Sequence, residues 1–540
     1  MFIQNLLHRR GFYTTAAGLG IAIHFVLALT SEWIKSPTID EYTYISTGYY
    51  YVKTGDFRLD RTHPPLIRLL IGLPLQFLSI REPDPHLEKW DDPISYQLGY
   101  FIGKEMLLEK GNSVQTLLLA ARLPIILLSC GLAWIIFLWA KDLYGIGGGL
   151  ISLFFYAFCP NLLAHAQLAT LDLGISFFLV LAMFMMYRYT KFPTQVRLVW
   201  VGLTLGAALA AKVTALILIP VFAIALAWMG VQSQPSWREF PILPFCRRMG
   251  LLLVCALALL LLIYRYPFQP FYYIDTLQNV IAKSVSTGKG GLEVPGMPHR
   301  NYAFYLFGHY ATSGWPYYYL AAAAVKTPLA VILALLVYLG IGKKRWGGLS
   351  DIFLVGTMFL LHGMAALNRV NIGLRHILPF YPLLYLYLGR IDELRTRRGG
   401  TVFLSGLAIW TIVSCAFTYP DFLSYFNEAV GGPQKGHLYL DDSNLDWGQD
   451  LGRLAQIQAQ YPDEPMYIAQ EYIFDPAAYG FSATPFKAEQ IPSPPEGLVA
   501  ISKQWAIRHR IQPRSPYYFN WLEKYQPIQT IGNSIWVFRF

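Results

Sequence analysis

LLLAARLPIILLSCGLAWIIFLWA (Leu117–Ala140), closed by the charged turn KDLYG (Lys141–Gly145), decides the fold class. A helix rises about 1.5 Å per residue and the hydrocarbon core of a bilayer is about 30 Å thick, so roughly 20 apolar residues are needed to cross it. This run is long enough. Outward from it the pattern recurs at Gly11–Thr30, Ile146–Leu163, Leu173–Tyr187, Leu198–Ala211, Ala215–Met229, Gly250–Tyr264, Leu320–Ile341, Ile352–Leu367, Leu374–Leu388 and Thr401–Phe417. The reading is an α-helical polytopic membrane protein of about eleven transmembrane helices. The first run is too long for a signal-peptide core and is read as an uncleaved span, with Arg9 and Arg10 holding its start inside.

Composition agrees. The 540 residues are 54% hydrophobic and 14% charged, against roughly 25% charged in ordinary soluble domains. The net charge of +10 does not mark a nucleic-acid protein, because the basic residues form no stripe. They fall in short loops: KDLYG, YRYTKFPTQVR, REF…CRRM, KKRW and GRIDELRTRR all land on one side when the spans are alternated, as the positive-inside rule requires. An odd span count then puts the C-terminus outside. Residues 1–418 are the expected membrane domain, with outer loops at about 31–115 and 267–319. Residues 419–540 are an expected small α/β extracytoplasmic domain, with LYL, MYIAQ, GLVAIS and SIWVFRF as strands and DLGRLAQIQAQ as a helix. PPLIRLLIGLPLQFL, broken by Gly72 and Pro74, reads as an interfacial helix. The five cysteines show no CxxC or zinc spacing and read as small buried hydrophobes.

Chemistry gathers at the outer ends of the spans. Asp40 and Glu41 follow the first span in PTIDEYTYISTGYYYVKTGDF, and Asp172 opens a later one in HAQLATLDLGISFF. Alone, Asp172 could be a residue favoured by the helix dipole beside a Thr170 cap, and Asp40 with Glu41 a solvated pair. Ionisable groups near membrane depth are more often functional. Lys212, Arg265, Lys326, and Arg375 with His376 also sit at outer ends, against the charge bias. Snorkelling explains any one of them. Several on one leaflet suit an anionic lipid headgroup, with arginine gripping phosphate through its planar fork and lysine as a point charge. No GxSxG elbow, P-loop or HExxH occurs. DDSNLDWGQDLGR imitates a calcium loop, but Trp447 stands where glycine is required and Arg453 where glutamate is.

These residues resemble a known family. TIDEYTY, the TGDF turn and HPPL are similar to the first outer loop of the protein O-mannosyltransferase and aminoarabinose-transferase family, in the C-type glycosyltransferase superfamily. LATLDLGISFF resembles its second acidic site, NIGLRHILPFYPLL its late arginine–proline span, and YFNEAVGGP…DDSNLDWGQDL the outer domain of a bacterial branch. The resemblance implies a polyprenyl-phosphate-linked sugar donor, inversion at the anomeric carbon, a hydroxyl acceptor (protein, lipid or glycan) and a bacterial inner-membrane enzyme working on the periplasmic side. It implies Asp40, Glu41 and Asp172 as catalytic residues. Arg265, Arg375, Lys212 and His63 are implied on the donor phosphate, and Tyr44, His376, Lys326, Asp446 and Trp447 on substrate. No cofactor is required by this reading, and a divalent magnesium or manganese ion on Asp40, Glu41 and Asp172 is an open alternative. Aminoarabinose-type members carry lysine where this chain has His63; neutral imidazole is the poorer phosphate clamp and is suited to orienting a carboxylate instead. The rival reading is a transporter or lipid flippase, whose mark would be charges near mid-bilayer and paired broken helices in two related halves.

Overall fold

The computed structural model describes residues 10–91, 95–232, 240–268, 270–285, 304–341, 348–470, 474–487, 490, 493–511, 522 and 524–540. Arg238, Glu239, the KKRW stretch and the Arg9 and Arg10 side chains lie outside the described residues. The apolar runs become helices: α1 (Arg10–Glu32), α2 (Ile39–Thr54), α3 (Leu66–Gly72), α4 (Ser95–Lys104), α5 (Val114–Ala157), α6 (Pro160–Ala166), α7 (Leu171–Lys191), α8 (Gln195–Ala211), α9 (Leu218–Gln232), α10 (Ile242–Ile263), α11 (Tyr273–Val285), α12 (Tyr318–Lys326), α13 (Leu329–Ile341), α14 (Leu349–Leu367), α15 (Phe380–Leu388) and α16 (Gly400–Thr418). Among the described residues, seven helices are long and apolar enough to cross a membrane, or eight if a bent pair counts as one span.

Five expected runs take other forms. Leu117–Ala140 lies in the 44-residue α5, whose backbone breaks at Gly145 with φ of 82°, and Ile146–Leu163 runs from the second part of α5 into α6. Leu198–Ala211 falls within α8, which is only 17 residues long. Leu320–Ile341 is the bent pair α12 and α13, turned by 104°. There Pro328 lacks the N–H a continuous helix needs and drives Thr327 into the extended region, at ψ of 131°. Leu374–Leu388 is a 3-10 turn (Leu374–Ile377) followed by α15, with Pro379 between them.

Between α1 and α5, both α3 and α4 pack on α2. A Cβ at Gly72 would lie 2.0 Å from the Gly48 carbonyl oxygen, and one at Gly103 would lie 1.9 Å from that of Tyr42. Only hydrogen in place of a side chain permits backbones that close. The expected interfacial helix is α3 with the 3-10 turn Pro74–Phe77, and Phe77 is 84% exposed at its tip.

Beyond α16 the chain forms a mixed five-stranded sheet in the order β4-β3-β5-β7-β6; β1 (Phe304–Leu306) and β2 (His309–Ala311) form a separate hairpin. β3 is Met466–Ala469, β4 Thr484–Pro485, β5 Leu498–Ser502, β6 Gln529–Ile531 and β7 Ile535–Arg539. β5 pairs parallel to β3 (Met466 opposite Leu498) and antiparallel to β7 (Leu498 opposite Arg539), and all five of its residues are buried. MYIAQ, GLVAIS and SIWVFRF are therefore strands. LYL is not: Gly436–Leu438 is a 3-10 turn, and the expected helix shrinks to Leu454–Gln458 behind another such turn.

Candidate active site

Asp40 and Glu41 are neighbours in sequence but not in space. Successive residues of a helix project about 100° apart, and at the start of α2 this sends the two acids to different partners. Glu41 closes the helix N-terminus: Thr38 N–H (2.8 Å) and hydroxyl (3.0 Å) both donate to its Oε2. Arg122 of α5 then grips it through Nε to Oε1 and Nη2 to Oε2, both 2.8 Å, while Ala169 N–H donates to Oε1 at 2.7 Å. Burial alone would push this carboxyl up; the Arg122 charge and these hydrogen bonds outweigh it and hold it below the ordinary glutamate range. Glu41 is engaged on both oxygens. It is thereby held apart from the partners of Asp40.

Asp40 meets a different set. Arg375 Nη1 donates to Asp40 Oδ2 at 2.6 Å and lies 3.8 Å from Asp172 Oδ2. Lys212, at the C-terminal end of α8, donates to Asp172 Oδ1 at 2.8 Å. Two carboxylates and two cations from four elements thus converge. The Asp40 side chain is the most open of the four at 26% exposed, against 10%, 3% and 15% for Arg375, Asp172 and Lys212. It is the group an incoming molecule reaches. Burial pushes its carboxyl up; Arg375 opposes this, Asp172 and Asp442 add to it, and the net direction is upward from the ordinary aspartate value.

Arg375 is set by its backbone. Gly373 stands at φ of 150°, and a Cβ there would lie 2.1 Å from Ser443 Oγ, so the turn closes onto the DDSNLDWGQD loop. Asn444 Oδ1 accepts from Leu374 N–H at 2.9 Å, and the Trp447 ring lies 4.2 Å from the Arg375 guanidinium carbon. A cation stacked on an indole face gains about 0.5–2 kcal/mol.

The other expected residues divide. Tyr44 faces the electrostatic field of Asp40, Arg375 and Asp172, and its ring meets His63 edge-on with centroids 6.4 Å apart. His63 also stands in the field of Asp60. His376 stacks on Tyr319 at 6.0 Å. Lys326 is spent on structure: it donates to the carbonyls of Leu423 (2.8 Å) and Asn444 (2.7 Å) over the Phe426 ring. Asp446 is likewise held, by Ser502 Oγ–H (2.5 Å) and Gly448 N–H (3.0 Å). Arg265 does not join the cluster. Its guanidinium lies against Gly55, at the far end of α2, about 20 Å of helix from Asp40.

A divalent cation does not fit the expected donor set. Arg375 already stands between Asp40 and Asp172, Lys212 holds Asp172, and Glu41 belongs to Arg122. Among the described residues no group of three or more His, Cys, Asp or Glu side chains is arranged to hold a metal. Sequence reading missed Arg122, which looks like one interruption of an apolar run, and Asp442, whose φ of 56° marks a forced turn facing Asp40.

Residues 112–265 match the family model described as Dolichyl-phosphate-mannose-protein mannosyltransferase, a segment that includes Arg122, Asp172 and Lys212. No curated protein matches the chain. Among solved structures it is similar to ArnT from Cupriavidus metallidurans bound to undecaprenyl phosphate, at 12% identity, covering 96% of this chain and 97% of that one, with a TM-score of 0.46. It is also similar to the Archaeoglobus fulgidus oligosaccharyltransferase tethered with an acceptor peptide containing the NVT sequon, at 12% identity, 87% and 63% coverage and a TM-score of 0.43. The resemblance read from the motifs is thus borne out, with residues 112–265 matching the protein O-mannosyltransferase type of membrane glycosyltransferase.

Proposed function

We propose that this protein is an inverting glycosyltransferase that moves a hexosyl or pentosyl group from a polyprenyl (undecaprenyl or dolichyl) phosphate to a hydroxyl acceptor. The observation that carries the reading is the Asp40–Arg375–Asp172–Lys212 cluster, a reachable carboxylate beside two cations. Asp40 Oδ2 is engaged by Arg375, and Oδ1 is the atom that takes the proton. As the acceptor oxygen attacks the anomeric carbon, its proton passes to Asp40 and a new C–O bond forms. The bond from that carbon to the phosphate oxygen breaks, and the electron pair leaves with the polyprenyl phosphate. Arg375 and Lys212 stabilise the negative charge that grows there. Asp172 holds Lys212 in place, and Glu41 with Arg122 fixes the start of α2. No step runs through a metal.

The proposal carries a topology with it. Counting α5 as two spans divided at Gly145, the α12–α13 pair as one, and α8 and α15 as short spans gives eleven. Residues 1–418 then form the membrane domain and 419–540 an extracytoplasmic domain. The enzyme sits in a bacterial plasma membrane with the cluster facing the periplasm. The deciding experiment is mass spectrometry of lipid-linked sugars and glycoconjugates in a deletion strain. One carrier-linked sugar should accumulate and one glycoconjugate should lose a sugar, with both reversed by the wild-type gene and neither by Asp40→Asn. Unchanged profiles would remove the proposal.

A further inference from the structure

The loop DDSNLDWGQD touches both sides of the Asp40–Arg375 contact. On one side it pairs with the backbone that leads into α2. Ser36 N–H donates to the Gln449 carbonyl at 2.9 Å, and Ile39 N–H donates to the Trp447 carbonyl at 3.2 Å. The N–H of a first helical residue has no partner inside its own helix, so the second bond fixes the residue from which Asp40 follows. On the other side Ser443 Oγ–H donates to the Ile372 carbonyl at 2.5 Å and Asn444 Oδ1 accepts from Leu374 N–H, while the Trp447 ring faces the Arg375 guanidinium. Trp447 therefore holds the helix start of the base through its carbonyl and the arginine through its ring.

The sheet that follows α16 braces this loop. Asp446 closes the turn after Trp447 by accepting from Gly448 N–H on Oδ1, and Ser502 Oγ–H, at the end of β5, donates to its Oδ2 at 2.5 Å. From the helix behind β5, Lys503–Ile511, Arg508 Nε donates to Asp441 Oδ2 at 2.8 Å. Trp447 and Ser502 are both buried. The need for a brace follows from the freedom of Arg375. An arginine side chain has many rotamers to lose, and this one has two carboxylates within reach: Asp40 Oδ2 at 2.6 Å and Asp172 Oδ2 at 3.8 Å. The Trp447 ring occupies one side of the guanidinium and limits how far it swings. Without the ring, Arg375 is free to settle on Asp172, where it would leave Asp40 and compete with Lys212.

Resting on the function proposed above, we infer that the sheet after α16 is a functional part of the active site: through Ser502 and Asp446 it holds Trp447, and Trp447 holds Arg375 in place for the carrier phosphate. Ser502, Asp446 and Trp447 act as positioning residues, and the segment beyond α16 reaches the chemistry through them.

The test uses the purified full-length protein in detergent and two probes, undecaprenyl phosphate and undecaprenol, the same chain without its phosphate. The wild type should bind the phosphate-bearing chain more tightly. Trp447→Leu should weaken undecaprenyl phosphate about two- to thirtyfold, the worth of one cation–ring stack, and leave undecaprenol unchanged. Trp447→Phe, with a smaller face, should fall between. Ser502→Ala should weaken undecaprenyl phosphate by less than Trp447→Leu does, and Ser502→Thr, which keeps the hydroxyl, should restore it. In the Trp447→Leu background Ser502→Ala should have no further effect, because it acts through the ring; if the leucine variant does not fold, Trp447→Phe takes its place in this cycle and should shrink the effect of Ser502→Ala. The inference is overturned if Ser502→Ala leaves phosphate binding unchanged or if its effect adds in full to that of the Trp447 variant. It is equally overturned if the variants weaken both probes alike, which marks a general loosening of the fold. A wild type that does not distinguish the two probes would instead fail the proposed glycosyl transfer, whatever the variants do.

Discussion

At Asp40 the whole proposed reaction depends on one oxygen. A positioned base contributes about 10²–10⁴-fold to a step of this kind, so Asp40→Asn should lower turnover by that factor while the protein folds and binds donor. The carboxyl is raised above the ordinary aspartate value, and only its ionised form accepts a proton. Activity should therefore fall on acidification at a higher pH than an ordinary aspartate would give, as a rate–pH profile will show. Arg375 has a second demand on it, since its guanidinium both donates to Asp40 and stacks on Trp447. Lysine keeps the charge but loses the planar fork and the stacking surface. Arg375→Lys should cost at least tenfold in turnover with donor saturating, whereas snorkelling alone would leave its kinetics unchanged. Both residues were legible in the sequence, because a charge at a span end breaks a strong pattern. The separate partners of Glu41 were not legible, because adjacency in sequence suggests a pair and a helix sends neighbours apart.

Among elements, the joint between α2 and α5 bears the most strain if broken. Arg122, Glu41 and Glu32 are fully buried together, with Arg122 Nη1 3.1 Å from Glu32 Oε2. Removing one partner of such a group leaves an uncompensated charge and costs about 3–5 kcal/mol, while replacing the group by apolar residues of similar volume is often neutral. Arg122→Met should thus lower the thermal midpoint in detergent strongly, and Arg122→Met with Glu41→Leu and Glu32→Leu should recover much of the loss. A triple variant as unstable as the single one would mean the charges themselves are needed. Existence of the helices was plain from apolarity, and so was the break at Gly145, which closes the charged turn KDLYG. The 104° turn at Pro328 was not, because it falls within one apolar run, Leu320–Ile341.

Across the whole molecule, the segment after α1 is fastened to the chain's last quarter. Lys35 donates to Asp450 Oδ1 at 2.7 Å, Ser534 Oγ–H donates to Asp450 Oδ2 at 2.8 Å, and Arg453 bridges Asp450 and Asp421. Burial pushes the Asp450 carboxyl up; the Lys35 and Arg453 charges and the hydrogen bonds outweigh that and bring it to about 2. A lowered carboxylate stabilises the fold above its unfolded value, near 3.9, and loses that contribution as pH falls from about 4 to 2, here on the order of 2 kcal/mol. Asp450→Asn should reduce stability at pH 7 and flatten its dependence between pH 4 and 2, as thermal melts will read. The orientation has its own check, since a C-terminal alkaline phosphatase fusion should be active and an inactive one would reverse the assignment. None of this fastening could be read from sequence, since its partners lie up to 415 positions apart and each alone is an ordinary polar residue.

The touching backbones of Gly48 and Gly72 set a limit on what this chain can become. In a saturation screen that selects for function, both positions should be empty of every alternative, alanine included, although neither carries any chemistry. A methyl group there would wedge α2 from α3 and carry the base away from its target, so two residues without side chains would rank with Asp40 among the least replaceable in the gene.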